Sequence, residues 1–225
     1  MSNTTRTALR LAVPISGRGS NMVAIARACR DKRIAAQVSI VIADRPSAGG
    51  VALAREMGID AQVVPWSSAT GGPAFERALI ECIDAHHPDL IILAGFMRIL
   101  SRELVEHYAG RMLNIHPSLL PAYRGLQTHV RVLQGGDAWH GASVHFVTAE
   151  LDGGPVILQS RVPVKPDDTE ASLAARVLST EHEIYPRVIG WIADGRLAWC
   201  GGRPSLDGEP LQQPVVENFG ALQDD

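Results

Sequence analysis

The sequence predicts an α/β fold: a Rossmann-like, mostly parallel twisted sheet with helices on both faces. Three observations lead there. Short apolar runs alternate with amphipathic helical stretches through the first half of the chain. Runs such as QVSIVIAD are almost continuously apolar, as strands covered on both faces must be. A glycine-bearing turn, SGRGSN from Ser16 to Asn21, joins the first strand to the first helix.

The elements follow in order. LRLAVPISG is the first strand, with Pro14 placed where no ladder donor is needed. A helix runs from Ser20, carrying Met22, Ile25, Ala26 and Cys29 on one face. QVSIVIAD is the second strand, AGGVALAREMG a helix closed by Gly58, and DAQVVP a short third strand. Pro73 opens the next helix, with Phe75, Ala78, Leu79, Cys82 and Ile83 as its buried stripe, and PDLIILAG is the fourth strand. This Rossmann-like half reaches about residue 108.

In the second half RMLNIH is a strand, and GASVHFV and GPVILQSRVPV are two more joined by a hairpin-like TAELDG. A long helix starts near Asp168 with Leu173, Val177, Ile184, Val188 and Trp191 on its apolar side, and Pro186 is expected to kink it. Residues 1–8 are expected as a disordered tail. Residues 9–200 are expected as one domain whose halves share a sheet, and 201–225 as a loose surface extension.

Composition narrows the function. The 225 residues are 46% hydrophobic, enough for one good core, and 21 basic and 24 acidic residues are interspersed. No basic block marks a nucleic-acid or anionic-membrane partner, and no apolar run approaches membrane-spanning length. Three scattered cysteines, Cys29, Cys82 and Cys200, favour reduced thiols in a cytoplasmic protein over a disulfide framework. The histidines have no standard metal-ligand spacing, so no metal is expected.

Four stretches offer chemistry. SGRGSN could cradle a phosphate at a helix N-terminus, or be a tight turn with Ser20 as an ordinary N-cap. Asn114 and His116 sit at i and i+2 of a strand and share a face. They suit an oxyanion, though alone they read rather as Asn114 tying down the proline-rich loop beside a satisfied core histidine. Asp152, in AELDGGPVI, is either a turn aspartate or the carboxylate that positions His116 and relays a proton. GFMRIL, Gly95 to Leu100, follows a strand's carboxyl end, where open sheets bind ligands. By itself it is also an ordinary apolar connection.

Together, ISGRGSN, LAGFMRIL, HYAG, LNIHPSLLPAYRG, HGASVHFVTAELDGGPVILQ and EHEIYPRVIGWIADGRL resemble folate-dependent phosphoribosylglycinamide formyltransferases, the GAR transformylases of purine synthesis. The resemblance implies the formyltransferase fold, with a folate-binding C-terminal half. It implies 10-formyltetrahydrofolate as co-substrate and glycinamide ribonucleotide as acceptor, in a monomer or homodimer. It assigns Asn114, His116 and Asp152 to catalysis, and Gly19, Ser20, Asn21 and Glu181 to the ribonucleotide. Met97, Arg98, Ile99, Leu100, Val147 and Thr148, with Asn114 and Asp152, fall to the folate. Gln127 and Arg124 depart from the family pattern, where histidine and proline are common. An arginine associated with the folate tail is missing near Gly71 and Gly72.

The chemistry fits these residues. An amine titrating near 7.7–8.0, as α-amino groups do at about those values, must lose its proton around its attack on the formyl carbon. Asn114 and a protonated His116 can hold the resulting oxyanion, and Asp152 can take the proton. Formyltetrahydrofolate deformylase is the nearest rival. A methionyl-transfer-RNA formyltransferase would add a C-terminal domain and a basic surface. A non-catalytic nucleotide-binding module is the alternative from another class.

Overall fold

The structure, a computed structural model, describes residues 8–67 and 71–220. Apart from Ala8, the tail expected at residues 1–8 lies outside the described residues.

The first half builds β1 (Leu9–Ile15), α1 (Ser20–Arg30), β2 (Ala36–Ala43), α2 (Gly50–Glu56), β3 (Ala61–Val63), α3 (Gly71–Asp84), β4 (Leu90–Leu93) and α4 (Arg102–His107). The second half adds β5 (Met112–His116), α5 (Thr128–Gly135), β6 (Trp139–Phe146), β7 (Val156–Pro163) and α6 (Glu170–Ala193). Then come β8 (Leu197–Cys200), β9 (Arg203–Leu206), β10 (Glu209–Pro210) and β11 (Val215–Asn218). One eight-stranded sheet takes the order β11-β7-β6-β5-β4-β1-β2-β3, so both halves share it. Its pairings are parallel except β5–β6 and β6–β7, the expected hairpin-like pair.

Strand alternation sorts the core into two layers. Leu11, Val13, Ile15, Val41, Ile92 and Leu113 pack on the side of α1, α2, α5 and α6. Ala12, Ile40, Ile42, Ile91, Leu93 and Met112 pack on the side of α3 and α4. Helices therefore cover both faces, as the continuous apolar runs require.

Several details differ from the sequence reading. The stripe of α3 is Phe75, Leu79 and Ile83, spaced four apart, while Ala78 is exposed. Helices α4 and α5 had no strong apolar period to announce them. The first is six residues long and starts on Ser101, whose Oγ accepts from Leu104 N at 3.2 Å. The long α6 carries Pro186 buried within its span. Its start is a capping box between Thr169 and Ser172.

Residues 203–218 do not form a loose extension. β8, β9 and β10 make a small antiparallel sheet, and β11 adds in parallel to β7, from Val215 against Leu158 to Asn218 against Arg161. All four are four residues or shorter, apolar throughout in β8 and mixed in β9, β10 and β11, too short for a period to announce them. Trp199 of β8 lies 4.8 Å from the ring of Phe146, which anchors the small sheet to the core.

Candidate active site

Chain order reverses between β1 and β4, so the loops after these strands leave in opposite directions and open a crevice. Three candidate stretches meet there. Ser16, the residue after β1, joins two of them: its N–H donates to Gly95 O at 3.1 Å and its Oγ accepts from Met97 N at 2.8 Å. The phosphate-type turn and the GFMRIL segment are thus laced side by side.

At the turn, Gly19 caps α1 in the left-handed region (φ 77), and no side chain caps the helix. Ser20 is the first helical residue and not the N-cap, which leaves first-turn N–H groups open to an anion. A β-carbon at position 19 would stand 2.8 Å from Gly50 Cα, so glycine is needed for two reasons. Asn21 and Glu181, 160 residues apart, meet here: Asn21 Nδ2 donates to Glu181 Oε2 at 2.7 Å. Burial pushes the Glu181 carboxyl up from the ordinary 4.5 to about 7, against the lowering effect of the Asn21 bond. Asn21 Oδ1 is buried without a hydrogen-bond partner.

The second half of the site stands on β5. Asn114 pairs across to His145 and His116 to Ser143, so the i, i+2 relation is realised on one face. His145 Nδ1 faces Phe146 O at 2.9 Å, and a carbonyl can only accept, so that nitrogen carries the hydrogen. Its Nε2, at 3.2 Å, then accepts from Asn114 Nδ2. Burial lowers the His145 pKa, which keeps this acceptor available. His145 thereby fixes which way the Asn114 amide points, a role sequence reading missed because a lone histidine on an apolar strand carries no signal of its own.

His116 is buried. Its Nε2 donates to Tyr123 O at 3.0 Å, and its Nδ1 stands 3.4 Å from Asp152 Oδ2. Both nitrogens face acceptors, so the ring can satisfy both only with a hydrogen on each. Gly125 N–H donates to the same Asp152 oxygen at 3.0 Å. Tyr123 (φ 55) and Asp152 (φ 47) both hold the left-handed backbone region, a strain typical of functional sites. Gly154, two residues on, has no room for a β-carbon against the carbonyl of Phe146.

A cleft of about 120 Å³ is lined by Leu93, Arg98, Ile99, Leu100, Asn114, His145, Val147, Thr148 and Asp152, among others. Of the predicted folate residues only Met97 stands outside this lining; its side chain is 63% exposed. Arg98 does not point freely at a ligand. Its Nε donates to the buried Asp44 at 2.5 Å, and its guanidinium lies 4.1 Å over the Trp66 ring. The two departing residues take clear positions. Arg124 pairs with Glu150 across the cleft mouth, and Gln127 caps α5 in the left-handed region. Among the described residues, no group of three or more His, Cys, Asp or Glu could hold a metal ion.

The model of the formyl transferase family matches residues 9–189. Phosphoribosylglycinamide formyltransferase of Escherichia coli K12 is 51% identical over 203 residues, covering 90% of this chain and 96% of that protein. The chain belongs to the phosphoribosylglycinamide formyltransferase family. A solved family member, from Coxiella burnetii in complex with CHES, superposes with a TM-score of 0.87 at 44% identity, covering 92% of this chain and 99% of that one. The human trifunctional purine biosynthetic protein adenosine-3 is 40% identical over 83% of this chain, which spans only 18% of that protein. A formyltetrahydrofolate deformylase from Pseudomonas putida shares the fold, with a TM-score of 0.82 at 24% identity. Membership in the formyltransferase family makes the chain a formyl-group transferase. No helix among its described residues is long and apolar enough to cross a membrane.

Proposed function

We propose that the protein moves the formyl group of 10-formyltetrahydrofolate onto the amine of glycinamide ribonucleotide in purine biosynthesis. The observation that carries this reading is the joint presence of Asn114 and Asp152 in one cleft wall, with His116 buried 3.4 Å behind the carboxylate. The ribonucleotide phosphate docks on the open N–H groups of α1 around Gly19 and Ser20. Glu181, which Asn21 holds beside that turn, receives the glycinamide end. The exposed apolar side chains of Met97 and Ile99 give a pterin and its linker a surface to cover.

Attack by the amine turns the formyl oxygen into an oxyanion. The Asn114 amide hydrogen not given to His145 is aimed by that bond and costs no reorganisation. His116, held by Tyr123 O at Nε2 and 3.4 Å from Asp152 Oδ2 at Nδ1, lends the oxyanion the positive charge of its protonated ring. Asp152 then accepts the amine proton, directly or through one water. As the oxyanion collapses, the bond from the formyl carbon to folate N10 breaks and the proton held by Asp152 passes to N10, so the formyl group goes from amine to amine with no covalent enzyme intermediate.

An absorbance assay for folate product, run with and without glycinamide ribonucleotide, tests the reading. Formyl loss that requires the ribonucleotide is the expected result. Equal loss without it would make the protein a deformylase.

A further inference from the structure

We propose that Tyr185, which nothing in the reaction scheme calls on, is a positioning residue for Asn114. This inference rests on the role given to Asn114 above. Tyr185 projects from α6 into the core with no solvent exposure. Its Oη stands 3.0 Å from Leu93 O and 3.0 Å from Leu113 O, on two different strands. A phenol has one hydrogen, and both carbonyls can only accept, so that hydrogen is shared between them.

The place of this bond gives it meaning. The β4–β5 ladder ends with Leu93 opposite Asn114. Beyond that pair β4 runs out into the GFMRIL segment, while β5 runs on to His116. Tyr185 therefore grips the two strands at the fork, on the carbonyls of the last β4 residue and of the residue before Asn114. Leu93 itself lines the cleft. The separation between the cleft wall and the Asn114 amide is set at this point.

The helix adds a second link. Glu181 lies four residues before Tyr185, one turn earlier on the same face, and holds Asn21 of the phosphate-type turn. One face of α6 thus touches the ribonucleotide side through Glu181 and the formyl-transfer side through Tyr185. The phenol is held un-ionised: burial pushes its pKa well up, and the Glu181 charge pushes the same way.

Removing the hydroxyl leaves the ring's packing but frees the fork. Tyr185→Phe is expected to lower kcat by about tenfold to a hundredfold, the scale on which small misplacements act. The KM for ribonucleotide should stay put. The deciding measurement is a cycle with Asn114→Ala. If Tyr185 works through Asn114, adding Tyr185→Phe to the Asn114→Ala enzyme costs little further turnover. An equal fold-loss in both backgrounds would make Tyr185 a purely structural residue and overturn the proposal, as would full kcat in Tyr185→Phe alone. Full turnover in Asn114→Ala would instead sink the role of Asn114, and with it anything acting through that residue. Should Tyr185→Phe not fold, p-aminophenylalanine at 185 keeps a donor there and 4-methylphenylalanine does not. Equal kcat for those two would refute the clasp.

Discussion

Glu181 should make the protein less stable than it could be. Its side chain is almost wholly enclosed, and burial holds its carboxyl at about 7 against an ordinary 4.5. Each tenfold change in proton affinity is worth about 1.4 kcal/mol, so the ionised residue burdens the fold by about 3 kcal/mol above pH 7. Between pH 4.5 and 7 the folded protein binds the proton that the unfolded chain has released, so this group makes stability fall as pH rises. Below about 4.5 both states are protonated and the burden is gone. Glu181→Gln keeps an oxygen to accept from Asn21 Nδ2 and carries no charge. Its amide hydrogens also stand beside Asn21, whose Oδ1 is buried without a partner. Urea unfolding of both proteins at pH 4.5 and pH 8 should show the variant up to about 3 kcal/mol more stable at pH 8 and scarcely different at pH 4.5. The KM for ribonucleotide should rise in the same variant, since stability is given up at this position for a charge that meets the substrate. An equal stability change at both pH values would refute the reasoning, because a pH-independent gain cannot come from a buried ionisation.

Two further predictions concern the rest of the site. His116→Ala and Asp152→Asn should each lower kcat by about 10²–10³, with the double variant little worse than the poorer single one; fully multiplicative losses in steady-state kinetics would mean the two residues act independently. At the turn, Gly17 has nothing within 4 Å of a β-carbon, whereas Gly19 has both the clash and the positive φ. Gly17→Ala should therefore raise the ribonucleotide KM by roughly tenfold or more at unchanged Tm. Gly19→Ala should lose about 1–3 kcal/mol of stability first. Calorimetry beside kinetics checks both, and an unmoved KM in Gly17→Ala would place the phosphate elsewhere.

What the sequence made legible follows from the range of each signal. Continuous apolar runs gave β1, β2, β4 and β5, since a strand buried on both faces leaves that trace in a few adjacent residues. The i, i+2 spacing placed Asn114 and His116 on one face without any knowledge of the partner strand. His145, Tyr123, Ser16 and Tyr185 were not legible. Each acts through a carbonyl, an amide or a second side chain that only the folded chain brings near, and Tyr185 Oη reaches across 92 residues to Leu93. The short strands β9 to β11 were missed for the opposite reason. Their backbones pair while half their side chains face water, so hydropathy carries little trace of them. Arg98 lines the cleft, but its capture by Asp44 and Trp66 depends on three distant segments meeting.

The position of β11 bears on how the molecule keeps apart from its own copies. A seven-stranded sheet with β7 at its border would present the backbone groups of Leu158 to Arg161 as a template for any extended chain. β11 occupies that row and becomes the new border itself. It is a poor template: four residues long, with Val216 and Asn218 flanking a glutamate that Arg187 of α6 holds in an ion pair. A chain shortened before Val215 would keep every group in the cleft and yet expose a longer, more apolar edge. Such a truncation should therefore aggregate more readily while the groups of the cleft stay in place.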